Sequence, residues 1–314
     1  MSALFTVILP VFLVMGYGYA VAWRGWMSPA AVDGVMRFAQ NFAVPVLLFH
    51  SIAGMDLGAN FNPLLLGAFY AAAFTSFLVG WAGARFGFGR TPEDAVAIGF
   101  VCLFSNSLLL GVPIMQRAYG EAALAGNFAI IALHSPVIYT FGITAMEFTR
   151  AHGKGLSVAR VSGRALSGVL RTPLVIGILC GFAVNFATSA GLVLPEGFWS
   201  AVTMIRNAAL PTALFGLGAV IWRYRPRGDM GVIAMCCACS LLLHPALTYA
   251  FGHFGGLDTT GLRSAVVTAA MPPGVNAYLF AQMYGNAQRV AASSVLIGTI
   301  ASIVTAWLWL GLLP

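Results

Sequence analysis

Two short stretches of the sequence place polar residues, glycine and proline inside segments that are otherwise apolar. The first stretch reads FSNSLLLGVPI (104–114), and the second reads MPPGVNAY (271–278). Lipid cannot hydrogen-bond the groups that such stretches would leave unpaired. Half-helices that begin there would offer free N–H groups and a partial positive charge, which suit an anion. The chemistry that we expect at these stretches is therefore the binding of a small anion.

The candidate ligands at the two stretches are neutral donors and exposed backbone groups. A plain proline kink would explain one stretch alone. Two interruptions at matched places, each with Asn, Gly and Pro, instead favour a binding site. The predicted substrate-binding residues are Asn106, Ser107, Pro113, Pro272, Pro273, Gly274 and Asn276.

The composition excludes a soluble fold and indicates which elements must position these residues. Of the 314 residues, 60% are hydrophobic and 8% are charged, whereas ordinary globular domains carry about 25% charged residues. We therefore predict an all-α polytopic membrane protein whose first span is retained rather than cleaved as a signal peptide. Apolar windows of about twenty residues predict ten spans, near 3–23, 32–54, 62–86, 94–116, 121–148, 169–188, 197–222, 229–252, 260–283 and 288–312.

The ten predicted spans divide into two similar halves. The sequences NFAVPVLLF (41–49) and NAALPTALF (207–215) share five of nine residues at an offset of 166. An odd number of spans in each half inverts the second half relative to the first, which is typical of secondary transporters. We predict a first five-helix repeat over 1–150, a cytoplasmic linker over 151–168 and an inverted second repeat over 169–314.

The positive charge of the chain indicates its orientation rather than a nucleic-acid partner. The net charge is +7, and thirteen of the 16 Lys and Arg residues fall in the odd-numbered loops between predicted spans. This asymmetry predicts that the odd loops are cytoplasmic and that both termini lie outside the cytoplasm. The three basic residues on the other side are Arg117, Arg206 and Arg263.

The reactive side chains do not form a pattern typical of an enzyme or a metal centre. The five cysteines lie in apolar runs, which predicts buried thiols and no disulfide framework. An intramembrane enzyme would need a nucleophile with its base, or paired carboxylates, and only Ser105 with His134 could be considered as such a pair. We predict no enzymatic activity, no cofactor and no metal site.

The interrupted segments resemble those of the auxin efflux carrier family, which includes the plant PIN carriers and bacterial transporters of small organic acids. The stretch SNSLLLGVP is similar to the family pattern P-N-T-L-V-M-G-I-P, and FAVPVLLFHSIA (42–53) is similar to FAVPLLSFHFIS. The second stretch, MPPGVNAYLFAQMYG, resembles the family segment L-P-x-G-I-V-P-F-V-F-A. The resemblance covers nearly the whole chain and implies a bacterial relative of the PIN carriers in the inner membrane.

The resemblance also implies an architecture and a set of roles. Spans 1, 2, 6 and 7 would form a scaffold, and spans 3–5 and 8–10 would form the moving transport domain of an elevator. The broken spans 4 and 9 would cross at the centre of the transport domain. A homodimer is a further implication. The residues implied to hold the carboxylate of the substrate are Asn106, Pro113, Pro272 and Gly274.

The sequence departs from the plant pattern at several positions. Leu48 stands where plant members have Ser, and the third span carries no charge, so auxin itself is poorly supported as the substrate. His134 stands where the family commonly has Gln and, with Ser105, forms a candidate support or proton-coupling site. A neutral, packed histidine is the alternative. Arg206 could attract an anion or could reach the membrane surface by snorkelling.

We predict a secondary transporter for a small organic anion in the lipid bilayer, and two alternatives stay open. A sodium-coupled symporter similar to the bile-acid symporters would normally have acidic cation ligands near the crossover, but carbonyl groups alone can bind sodium. A sensor derived from a transporter would normally carry a signalling domain, and the sequence contains none.

Overall fold

A computed structural model describes residues 4–151, 168, 170–224 and 229–314. The regular structure of these residues is helical, and their one strand-like feature is an isolated antiparallel bridge between Ser105 and Pro273. The predicted linker falls almost wholly outside the described residues. So do five of the basic residues used to predict the orientation, namely Lys154, Arg160, Arg164, Arg225 and Arg227.

The helices follow the apolar windows of the sequence. In the first half of the chain they are α1 (Leu9–Trp23), α2 (Pro29–Phe38), α3 (Val44–Ala53), α4 (Leu57–Asn60), α5 (Pro63–Ala82), α6 (Pro92–Leu103), α7 (Val112–Tyr119) and α8 (Ala125–Ala151). In the second half they are α9 (Pro173–Ser189), α10 (Glu196–Ile221), α11 (Met230–Ala238), α12 (His244–Gly255), α13 (Thr259–Ala269), α14 (Val275–Tyr284) and α15 (Gln288–Leu312).

Wide π-helical turns adjoin several of these helices, and prolines explain most of them. Four of the turns end two residues before a proline, at Pro10, Pro45, Pro113 and Pro245. Proline lacks an N–H group and its ring clashes with the carbonyl four residues earlier, so an extra residue in the turn relieves the clash. The turns are Leu4–Ile8, Ala39–Ala43, Gly83–Gly87, Ser107–Gly111 and Cys239–Leu243.

The lengths of the continuous helical runs bear out a polytopic membrane protein. Within the described chain, six runs are long and apolar enough to cross a membrane, and the apolar α9 is shorter. The six runs are Phe5–Trp23, Pro63–Gly87, Glu121–Arg150, Glu196–Ile221, Met230–Gly255 and Gln288–Leu312.

The helices pack into two groups. In the first group, α1 lies along α10, α9 lies along α3, and α10 also contacts α2 and α3. In the second group, α5 packs on α6 and α12, and α12 packs on α13. Helix α8 contacts α6 and α13, and α15 contacts α11 and α14. The rings of Phe100 and Phe280 stack with centroids 3.9 Å apart and join α6 to α14.

Glycines allow the helices of the first group to approach at backbone distance. A Cβ atom on Gly18 would lie 2.0 Å from the Phe215 carbonyl oxygen, and one on Gly218 would lie 1.9 Å from that of Met15. Neither space can hold a methyl group. Close packing of small residues is the usual means of helix association in lipid, and it fixes α1 against α10 here.

The close approach of Gly18 to Phe215 predicts that a methyl group added at Gly18 lowers the stability of the protein, whereas one added at Gly16 does not. We expect Gly18→Ala to lower the thermal unfolding midpoint of the purified protein by about 2–8 °C, because overpacking costs about 1–3 kcal/mol. Gly16→Ala, in the same helix, is the matched control, since a methyl group added there would meet no atom within 4 Å. Equal midpoints for the two variants would contradict the packing of α1 on α10.

Candidate functional site

The two interrupted helices meet at their breaks. The chain leaves α6 at Leu103 and resumes helical structure at Ser107, and it leaves α13 at Ala269 and resumes at Val275. The Asn106 N–H donates to the Pro272 carbonyl at 2.8 Å, and the Gly274 N–H donates to the Phe104 carbonyl at 2.9 Å. The two extended segments therefore satisfy each other's backbone groups in the protein interior.

The sequence around the second break explains why the helix stops there. Pro272 and Pro273 supply no N–H groups, and each disfavours helical geometry in the residue before it. The Ser240 hydroxyl donates to the Met271 carbonyl at 3.1 Å. On the far side, a Cβ atom on Gly298 would lie 2.9 Å from the Pro273 ring, so glycine lets α15 support the break closely.

A cavity of about 700 Å³ adjoins the crossing, and we call it the crossover cavity. Its walls come from the π turn before α3, both breaks, α8 and the segment leading into α9. The lining residues are Gln40, Asn41, Val44, Phe104, Ser105, Asn106, Ser107, Leu108, Leu109, Ile131, His134, Ser135, Tyr139, Ile143, Gly168, Thr172, Pro173, Leu174, Gly274, Val275, Asn276, Leu279, Met283 and Tyr284.

Asn106 is the polar side chain with unused hydrogen-bonding capacity at the crossing. It is 6% exposed, and its Nδ2 has no hydrogen-bond partner among the described residues. Beside it, the hydroxyl oxygens of Ser105 and Ser107 lie 2.7 Å apart and share one hydrogen bond. A buried donor without a partner costs about 1–3 kcal/mol, so the Asn106 amide is available to a ligand at no cost in internal contacts.

Two helix N-termini face the same cavity. Asn106 is the N-cap residue of the helical turn that begins at Ser107, and Gly274 is the N-cap residue of α14. Neither helix start has a hydrogen bond from a capping side chain. Uncapped first turns leave N–H groups free and carry partial positive charge. The described lining residues include no Asp, Glu, Lys or Arg, so these two termini add partial positive charge to a wall without charged side chains.

The fifth predicted span, α8, supplies a wall of the cavity that contacts both breaks. His134 is buried, its ring lies 4.7 Å from that of Phe104, and neither ring nitrogen has a hydrogen-bond partner in the described part of the chain. The Tyr139 hydroxyl donates to the Asn276 carbonyl at 3.2 Å and so holds the start of α14.

The predicted site residues divide into three sets. Six of them line the crossover cavity, namely Ser105, Asn106, Ser107, His134, Gly274 and Asn276. Pro272 and Pro273 shape the second break but do not form part of the cavity wall. Pro113 lies one turn beyond the first break and lines a different cavity.

Sequence reasoning missed several lining residues. Tyr139, Tyr284 and Gln40 belong to the cavity wall. Tyr284 lies in the quoted stretch MPPGVNAYLFAQMYG without an assigned role, and the other two lie outside the quoted stretches. Tyr139 lies five residues after His134 on α8, about 7.5 Å further along the helix, and this spacing gave no signal that it lines the same cavity.

The second cavity measures about 330 Å³, and we call it the arginine cavity. Its lining residues are Pro10, Val11, Val14, Leu47, Val112, Pro113, Gln116, Arg117, Leu124, Arg206, Asn207, Leu210, Pro211 and Leu214. The crossover cavity reaches Val44 and Leu109, whereas the arginine cavity begins at Leu47 and Val112, three residues further along the same segments. The two cavities thus lie on opposite sides of a layer about one helical turn thick.

An all-helical membrane protein in which two interrupted helices cross beside a cavity has the features of an integral membrane transport protein. The family model described as "Membrane transport protein" matches residues 3–310. The chain therefore belongs to this family, that of the auxin efflux carriers, and it is a membrane transporter rather than an enzyme.

Several relatives match nearly the whole chain, among them the following three. A protein of Rhizobium meliloti (strain 1021) named "Putative malonate transporter" is 25% identical over 310 residues, which cover 97% of this chain and 94% of the relative. "Auxin efflux carrier component 5" of Arabidopsis thaliana is 22% identical, with 94% and 92% covered. "Uncharacterized transporter YfdV" of Escherichia coli (strain K12) is 21% identical, with 96% and 95% covered.

Proposed function

We propose that the protein is a secondary carrier for a small organic anion that bears a carboxylate, and that the anion binds in the crossover cavity. The observation that carries the proposal is the buried Asn106 Nδ2, which has no partner in the described part of the chain and lies between two uncapped helix N-termini. Free N–H groups, a positive helix end and a neutral amide donor together suit a carboxylate. The name of the Rhizobium relative supports the same class of substrate.

Ten spans in two inverted repeats are part of this proposal. The six long helical runs, together with α2–α3, α9 and the interrupted pairs α6–α7 and α13–α14, would make the ten. The repeats would span 1–150 and 169–314. The lining of the two cavities supports this symmetry, because Gln40 and Asn41 line one cavity, and Arg206 and Asn207, at an offset of 166, line the other.

An elevator movement is the proposed transport step. The group α1, α2, α3, α9 and α10 would be the scaffold, and the group that contains both breaks would move as one body. Helix contacts that are extensive within each group and sparse between them support this division. With the odd loops cytoplasmic, both termini would lie outside the cytoplasm of a bacterium, and the crossover cavity would open inward.

Uptake of malonate by purified protein tests the proposed function. Proteoliposomes loaded with unlabelled malonate should accumulate radiolabelled external malonate well above protein-free liposomes, and other small carboxylates should compete. Unlabelled monocarboxylates and dicarboxylates serve as the competitors, and a neutral amide of similar size is the matched control. If no carboxylate in the panel is exchanged or competes, the proposed function is wrong.

A further inference from the structure

We propose that the arginine cavity is a second carboxylate-binding site, in which Arg206 holds the anion and Glu121 is its intramolecular competitor. The site lies across the layer from the crossover cavity and shares none of its lining residues. The proposal therefore goes beyond the proposed function and does not require an anion to bind at the crossing.

Arg206 occupies an unusual position for a charged residue. It is the eleventh residue of α10, about 15 Å along the helix from its start, and its side chain is only 19% exposed. An arginine within a membrane helix reaches the surface or pairs with a partner, and it marks a functional site by default. In this conformation the partner is the carboxylate of Glu121.

Glu121 is placed to leave that ion pair. It begins the short helical turn Glu121–Leu124 that leads into α8, and its side chain is 59% exposed. The ion pair joins α10, in the first packed group, to the start of α8, in the second. An exposed carboxylate loses little on moving into water, so an incoming carboxylate can take its place on the guanidinium.

Arg117 supplies a second positive charge to the same cavity. Its Nε and Nη2 donate to the Thr6 carbonyl at 3.1 and 2.7 Å, which fixes the guanidinium in place without neutralising it. Among the described residues no carboxylate pairs with Arg117. Two arginines and one glutamate leave the cavity with one positive charge in excess, and a bound anion would balance it.

The matched position in the other half of the chain shows how the two cavities differ. Gln40 lies 166 residues before Arg206 and lines the crossover cavity with Asn41, as Arg206 and Asn207 line the arginine cavity. The scaffold wall is therefore neutral on one side and cationic on the other. A carboxylate would meet a full charge at the arginine cavity and helix dipoles with amides at the crossing.

Site-specific protection of a cysteine by malonate tests this second site. Leu210 lines the arginine cavity, so Leu210→Cys places a thiol there. The variant is reconstituted in lipid nanodiscs and treated with a maleimide, and peptide mass spectrometry measures the fraction of this cysteine that has reacted. Malonate should slow the reaction saturably, and sodium chloride at matched ionic strength should not. In the same background, Glu121→Gln should lower the half-protecting malonate concentration about threefold, because the competitor is gone.

Arg206→Gln should raise the half-protecting concentration at least tenfold, which is the usual effect of losing a charged hydrogen bond. Arg206→Lys keeps the charge and should fall between wild type and Arg206→Gln, which separates binding from folding defects. Protection that is absent, or that Glu121→Gln leaves unchanged or weakens, would overturn the proposal. Loss of protection in Asn106→Ala would also overturn the proposal, because the protection would then report binding in the crossover cavity. Failure of the proposed function would be distinguishable, since malonate uptake would be absent while protection of the cysteine stayed intact.

Discussion

Asn106→Ala is expected to abolish most of the stabilisation that a carboxylate bound at the crossing gives the protein, without destabilising the unliganded protein. The side chain is buried and its Nδ2 has no partner among the described residues, so its removal breaks no internal hydrogen bond. Loss of one hydrogen bond to a charged ligand weakens binding about tenfold to hundredfold. The thermal unfolding midpoint should therefore stay near the wild-type value without malonate and rise less with it, the remaining rise coming from malonate in the arginine cavity.

Asn127→Ala is the matched control for this result. Asn127 is also buried, but its Nδ2 donates to the Thr268 hydroxyl at 2.7 Å, outside the crossover cavity. We expect this variant to unfold at a lower temperature and to keep the full increment from malonate. If Asn106→Ala lowers the unliganded midpoint as much as Asn127→Ala and leaves the malonate increment intact, the amide is structural.

Gly274→Pro is expected to reduce malonate exchange at least tenfold, whereas Gly274→Ala should stay within about threefold of wild type. Proline removes the N–H group that donates to the Phe104 carbonyl at 2.9 Å, and its ring occupies the space of that bond. The unpaired, buried carbonyl alone costs about 1–3 kcal/mol. Of the two hydrogen bonds that pair the breaks, the one from Asn106 to Pro272 would remain and the one from residue 274 to Phe104 would be lost.

The alanine variant separates the effect of losing the hydrogen bond from the effect of replacing glycine with a larger residue. The backbone of Gly274 has φ −77°, which alanine and proline both adopt. A Cβ atom there would lie 3.4 Å from the Phe104 ring and 3.5 Å from the Asn106 Cα, which is ordinary contact. Equal exchange by the two variants in proteoliposomes would show that the hydrogen bond from Gly274 to Phe104 is not needed for transport.

The interruptions were readable from the sequence because proline and glycine act locally. Pro272 and Pro273 together remove two N–H groups and disfavour helical geometry in the residues before them. The single prolines Pro136 and Pro211, by contrast, lie inside continuous helices. The polar run around Asn106 is unfavourable in lipid. The repeat of Pro45 at Pro211 likewise required only a comparison of two short stretches. Composition alone sufficed for the membrane environment.

The walls of the cavities were not readable in the same way, because they depend on how distant helices rotate against one another. Tyr139 meets Asn276 across 137 residues of sequence, and Arg206 meets Glu121 from a different half of the chain. A short sequence motif shows neither how its helix is rotated in the fold nor which distant residue its side chains will contact. Pro113 illustrates the limit, since one helical turn of π geometry directs it into the arginine cavity rather than towards Asn106.

An experimental structure of the protein with bound malonate is the most direct test of the central claim, that the crossing of the two interrupted helices is an anion site. We expect a malonate carboxylate within hydrogen-bond distance of Asn106 Nδ2 and of N–H groups in the first turn of α14. Malonate bound only elsewhere in the molecule, with water alone at the Asn106 amide, would contradict the account.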